Sequence, residues 1–310
     1  MVNKALDVND IKPENLIKLT DEDLNDRMIG YITRNEKELK QAIFTTFDNI
    51  KKSINPNDDT ILRDLSNTEI PGKILQEIDE NIQNFVLVEL TDYWAFMHDK
   101  AIEDIAAAIK EKIARDYIPT SFDRYFQNWT QSRSGELITN FTNEQLYAFR
   151  DTVQYFNKSV ELAINPRDMA VYLQRFTGLT ERQSNSLLAM RDELLSQGYA
   201  ETTIQKTIFY KATQMLQYRA ERIARTELTT AYNQAGLSNI KQAVGDGLLA
   251  GEGRILKVWY AALDERVCDI CGDLHEKAVE LNDTFPDGYD APSAHPNCRC
   301  TMLTYIQKEV

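Results

Sequence analysis

Five residues near the end of the chain have types and spacing that suit metal binding. Cys268 and Cys271 form a Cys-x-x-Cys pair, and His295, Cys298 and Cys300 follow in the run His-Pro-Asn-Cys-Arg-Cys. A Cys-x-x-Cys turn brings two thiolates to one ion from a single tight loop. A second short loop, after 23 intervening residues, can complete a tetrahedron with imidazole and thiolate. A structural Zn2+ is therefore expected, holding together a segment with little core of its own. Five donors for four places leave Cys298, Cys300 or the imidazole spare. A disulfide is disfavoured because the first ten residues show no basic-then-apolar export signal and reducing compartments keep thiols free. A thioredoxin-type site needs a βαβ setting, and c-type haem attachment needs His where Gly272 stands. The zinc deaminase order, His-x-Glu ahead of Pro-Cys-x-x-Cys, is not met either. His98, within Tyr93, Trp94 and Phe96, is expected to pack, and His275 is a substitute ligand at most.

The elements that must position these residues differ sharply from the rest of the chain. Of 310 residues only 12 are Gly and 8 Pro, yet seven of the Gly lie between Gly236 and Gly288, and all four Cys between Cys268 and Cys300. The expected fold is mainly α: a body of long antiparallel helices, then a small C-terminal α+β module with the metal site. Arg254–Tyr260, Ala278–Leu281 and Thr301–Ile306 are β-branched or aromatic runs that suit its strands.

In the body, Thr20 ahead of Asp21, Glu22 and Asp23 predicts an N-cap, with apolar positions recurring from Leu24 to Ile50 at helical spacing. A second long helix is expected from Pro71 towards Tyr117, stopped by Pro119, with an aromatic Phe85–Phe96 stretch that is either core or interface. Residues 119–140 read as a connection, and Thr142 with Gln145 as a capping box opening the next helix. Asn165-Pro166 marks a boundary. Thr180 with Gln183 forms another capping box, Gly198 ends that helix, and one of about 30 residues starts near Glu201. The expected regions are 1–160, 161–245 and 246–310.

Lys and Arg number 35 against 48 Asp and Glu, a net −13. That excludes whole-surface nucleic-acid binding. Residues 206–260 stand apart with eight basic and four acidic residues, either a solvated face or a docking face. No run of about 18 apolar residues exists, so no membrane span is expected. No P-loop, GxGxxG, GxSxG or HExxH motif is present.

The ordered series Ile223-Ala-Arg225-Thr-Glu227, Ala231, Asn233, Trp259, Asp264-Glu-Arg266-Val-Cys268-Asp-Ile-Cys271, Phe285 and His295-Pro-Asn-Cys298-Arg-Cys300 resembles the phage head morphogenesis (minor head protein) family, the Mu F-like proteins of tailed bacteriophages. Gly178-Leu-Thr-Glu-Arg-Gln183 and Gly198 are similar to that family's helical lead-in, and the likeness covers about residues 165–305. It implies a structural virion component encoded beside the portal. Such a protein contacts portal protein, major capsid protein or inner shell in several copies, and acts in head assembly, DNA packaging or ejection. It implies no enzymatic activity and a place in the phage head, reached from the host cytoplasm. Within this frame Arg225 and Glu227 are expected to tie the long helix to the cysteine module. Trp259 is expected to pack over the metal loop, and Asp264 to cap the Cys-x-x-Cys turn.

Two other function classes compete. A zinc-containing nucleic-acid-binding protein would want a basic module, yet residues 261–310 hold four basic and ten acidic residues. A metal-dependent hydrolase would need an open coordination position with Glu276 or Asp264 as base, and five ligands for four places argue against one.

Overall fold

The computed structural model describes residues 5–118, 124–157, 165–262 and 264–308. In chain order the elements are β1 (Leu6–Asp7), β2 (Leu16–Lys18), α1 (Asp23–Ser53), α2 (Asp59–Ser66), α3 (Gly72–Asn84), a π-helical segment (Phe85–Leu90) and α4 (Thr91–Ile113). They continue with α5 (Arg124–Asn157), α6 (Pro166–Phe176), α7 (Glu181–Ser196), α8 (Glu201–Gly245), β3 (Arg254–Tyr260), α9 (Asp269–Leu274), β4 (Lys277–Glu280) and β5 (Thr301–Gln307). The chain is mainly helical with a small strand module near its end, as expected. Among the described residues no helix is long and apolar enough to cross a membrane.

Two compact units share these elements. One gathers Met1–Lys37, Thr91–Gln131 and Arg222–Val310; the other gathers Glu38–Leu90 and Ser132–Glu221. Each is assembled from separated stretches, whereas the regions expected from motif content were consecutive.

The first unit is built on an antiparallel five-stranded sheet of order β1-β4-β3-β5-β2. The three expected strands form its centre. Both edges come from the first twenty residues, which the sequence reading had grouped with the helical body: Leu6 pairs with Ala278 and Leu16 with Gln307. Strands of two and three residues carry too little periodicity to announce themselves. Thr20 belongs to this edge and not to a helix cap. Its amide donates to the Thr304 carbonyl at 3.1 Å, its hydroxyl accepts from the Thr304 amide at 2.8 Å, and α1 starts only at Asp23. Beyond the end of β2, side chains thus take over the bonds a neighbouring strand would make. Ile105 and Ile109 of α4, Leu237 and Ile240 of α8, and Met302 and Ile306 of β5 form one buried cluster. Six consecutive residues of β5 are buried, so both of its faces are covered.

In the second unit, Ile74, Ile78, Ile82, Val86 and Leu90 are all buried at a strict spacing of four. That spacing overruns an α-helix by about 40° per step. The π-helical segment, with its wider i→i+5 turn, winds the stripe back and keeps Phe85, Val86 and Leu90 on the packed side. Pro119 lies outside the described residues; α4 ends at Ile113, and Ala114 takes φ 56°.

The connection expected over 119–140 is helix from Arg124, and Thr142 opens nothing, because α5 runs unbroken to Asn157. The would-be capping residues are used otherwise: Gln145 is buried and its Oε1 accepts from the Gly178 amide. Tertiary contacts override the local signal here. The same signal holds at α7, where Thr180 and Gln183 form both bonds of a capping box. Asn165 caps α6 through the Asp168 amide, with Pro166 at the first position. The helix expected to run about 30 residues from Glu201 is α8, 45 residues long.

Candidate metal centre

Strand β3 delivers the chain to the first ligand loop at Tyr260. The Cys-x-x-Cys pair then sits at the start of α9, where Cys268 is the N-cap and its Sγ accepts from the Cys271 amide at 3.4 Å. The second loop is a tight turn closed by the Cys298 amide donating to the His295 carbonyl at 3.1 Å, with Asn297 in the left-handed region at φ 64°.

The two loops converge. His295 Nε2 lies 3.1 Å from Cys268 Sγ and 3.1 Å from Cys271 Sγ, and Cys271 Sγ lies 3.7 Å from Cys298 Sγ. The donors form two overlapping groups sharing Cys271: Cys268, Cys271 and His295, and Cys271, Cys298 and Cys300. A tetrahedral ion with S ligands at about 2.3 Å and N at about 2.0 Å needs S···S edges near ~3.8 Å and S···N edges near ~3.5 Å. The Cys271–Cys298 separation meets the first and the two His295–sulfur separations fall slightly inside the second; no four donors lie within 4.8 Å of one another, and the two groups together form a cluster that could hold a metal ion. His295 Nδ1 lies 2.9 Å from the Pro296 carbonyl, which orients the ring with Nε2 towards the sulfurs. The bond from Cys271 holds the Cys298 thiol far below its ordinary range, and the same bond pushes Cys271 up. His275 is elsewhere engaged: its Nδ1 accepts from the Ala261 amide at 3.1 Å. His98 stacks on Phe126, the rings 4.4 Å apart.

The surrounding residues lock the loops to each other and to α8. Asp264 forms a two-pronged ion pair with Arg299, between Cys298 and Cys300, at 2.7 Å on both arms. Arg299 holds the Asp264 carboxyl well below the usual carboxylate range. Asp264 also accepts from the Arg266 amide at 2.9 Å, so it braces the approach to the Cys-x-x-Cys turn, whose own cap is Cys268. Trp259 is fully buried with Cys271, Cys298 and Cys300, edge-on to Phe285 at 5.2 Å.

On α8, Arg225 bonds Asn297 at 3.4 Å and pairs with Glu36 at 2.7 Å, while Glu227 is buried. Three further α8 side chains grip the second loop. Thr226 accepts from the Asn297 amide at 3.0 Å, Thr230 bonds Ser293 at 2.8 Å, and Asn233 donates to the Cys300 carbonyl at 3.0 Å. Sequence reasoning gave Thr226 and Thr230 no role. The available signal was a polar i, i+4, i+7 stripe of Thr226, Thr230 and Asn233 along one side of α8.

Residues 189–303, which contain the whole of α8 and every donor, match the family model described as Phage Mu protein F like protein. This stretch of the chain is similar to the Mu F-like proteins. No curated protein and no solved structure matches the chain. The Mu F-like match spans the grip of α8 on the second loop, the β3 tryptophan and both ligand loops. It supports the phage head morphogenesis assignment that the ordered motifs imply.

Proposed function

We propose that this Mu F-like protein is a structural minor head protein of a tailed phage, at work in the head beside the portal or inner capsid shell. The observation that carries this reading is the coincidence of the family match with one self-contained construction, two ligand loops clamped to α8 and seated on the sheet. Its role is non-catalytic. Cys271, Cys298 and Cys300 are packed with Trp259, Phe285 and Val279 while Cys268 and His295 are half-buried, and five donors for four places suit a structural ion. The ion is Zn2+, held by Cys268, Cys271, His295 and Cys298, with Cys300 a buried neighbour. When bound, the ion supplies cross-linking of the two loops.

Labelling this chain in intact heads by cryo-electron microscopy, together with co-purification with portal protein, tests the placement. Density or recovery at the portal or inner shell is expected; a chain absent from purified heads refutes it. For the ion, one zinc per chain is expected by mass spectrometry of the native protein, retained in Cys300→Ser and lost in Cys271→Ser and Cys298→Ser. A wild-type protein that neither retains nor takes up zinc ends the metal reading, and zinc loss in Cys300→Ser but not Cys298→Ser reverses the ligand choice.

A further inference from the structure

Two exposed helix faces of the second unit are complementary and unexplained by the metal centre. The first lies on α8. From Thr202 to Tyr218 there is no Asp or Glu, although the chain carries −13. Lys206, Tyr210, Lys211, Gln214, Gln217 and Tyr218 all face solvent there, with Tyr210 63% and Tyr218 58% exposed. Tyrosine-rich, acid-poor surface is the composition of protein interfaces. The second lies on α3 and the π-helical segment. From Leu75 to Val88 there are three acids and no Lys or Arg. Its solvent side presents Leu75, Asp79, Glu80, Leu87 and Val88, with Leu87 53% and Val88 55% exposed. The rewinding that keeps Val86 and Leu90 packed is what leaves Leu87 and Val88 on the acidic side.

We infer that the Lys206–Tyr218 face of α8 docks on the Leu75–Val88 face of a second copy of this chain. The two are equally long, about 18 Å and about 20 Å at the rise of a helix. One supplies lysines and aromatic rings, the other carboxylates and aliphatic side chains. Both are exposed in one molecule, so they do not cover each other, and one copy therefore satisfies the next. A contact between two different faces repeats head to tail, and closes as a ring where the rotation allows. This inference goes beyond the proposed function and does not depend on the metal.

The test is sedimentation and mass photometry of the full chain against concentration and salt. The wild type is expected to form oligomers that weaken as salt rises. Lys206→Glu with Lys211→Glu, and separately Asp79→Lys with Glu80→Lys, are each expected to weaken self-association by at least about tenfold. An equimolar mixture of the two charge-reversed variants should restore it, because each then meets an opposite partner. Circular dichroism confirms folding, and Tyr210→Ala with Tyr218→Ala provides a charge-neutral check if either variant misfolds. The inference is overturned if the wild type stays monomeric, if charge reversal leaves association unchanged, or if folded variants fail to complement. It is equally overturned if the monomer binds polyglutamate or duplex DNA through Lys206 and Lys211, which would give the face another partner.

Discussion

Replacing Asn233 by Ala should loosen the start of β5 and, through it, the second ligand loop. The Asn233 side chain is buried on α8 and acts as a surrogate strand: its Oδ1 accepts from the Met302 amide at 2.7 Å and its Nδ2 donates to the Cys300 carbonyl at 3.0 Å. Truncation leaves both backbone groups without those bonds in a place where β2 does not reach, since β2 pairs only with residues 305–307. Each orphaned group costs about 1–3 kcal/mol. Alanine returns up to about 0.7 kcal/mol of helix propensity, so a net loss of about 1.3–5.3 kcal/mol is expected. With two compact units a single unfolding transition need not report this loss. Native-state hydrogen exchange does: the Met302 amide should exchange about 100-fold faster in Asn233→Ala, a change that corresponds to roughly 3 kcal/mol. Unchanged protection at Met302, with a loss below about 1 kcal/mol, would refute the surrogate-strand reasoning.

Other perturbations have equally definite outcomes. Lys257 is buried on β3, bonding the Asp290 carbonyl at 2.6 Å over the Phe285 ring; burial lowers its pKa to about 8, helped by Lys241 and opposed by Asp290 and Asp283. The unfolded chain then holds more protons between about pH 8 and 10.4, so this residue's contribution to stability rises with pH across that window, by on the order of 3 kcal/mol. The stability difference between wild type and Lys257→Met, followed by urea unfolding from pH 7 to 10.5, should shift by that amount, and a flat difference contradicts the assignment. Arg191 is buried against Phe156 with bonds to Tyr155, Tyr172 and Glu201. Tyr155 keeps Asp192, Tyr172 keeps Glu201, and Glu201 stays partly wet, so Arg191→Met should cost less than about 2 kcal/mol while Arg191→Ala, leaving a hole, costs about 3 or more. Equal losses in thermal melts would contradict that ordering. Gly253 has φ 128°, and a Cβ there would lie 2.3 Å from the Gln307 carbonyl oxygen, a backbone atom that cannot swing away. Gly253→Ala should therefore lower stability by more than about 2 kcal/mol in chemical denaturation, and a neutral variant contradicts the contact.

The donors were legible in the sequence because metal chemistry restricts residue type and spacing: all five fall into the two contiguous groups. The starts of α6 and α7 were legible because Asn165-Pro166 and Thr180 with Gln183 satisfy their own backbone locally. The same grammar failed at Thr20 and Thr142, where tertiary partners took the polar groups first: Thr304 claims the Thr20 side chain, and Gly178 claims Gln145 of the second supposed box. The partners of Asp264 were equally illegible, since pairing with Arg299 joins residues 35 apart in the sequence across two loops.

The pairing of Leu16 with Gln307 and of Leu6 with Ala278 also constrains the order of events in making this protein. During synthesis β1 and β2 leave the ribosome long before their partners exist, so the sheet cannot close until β5 has emerged about 290 residues later. A metal ion bound by the two loops would gather them earlier, but the open backbone on both flanks stays unprotected until β1 and β2 return to cover it. A fragment cut to the family boundaries, residues 189–303, would lack β1, β2 and most of β5. Such a piece would carry every ligand and still be prone to stick to itself.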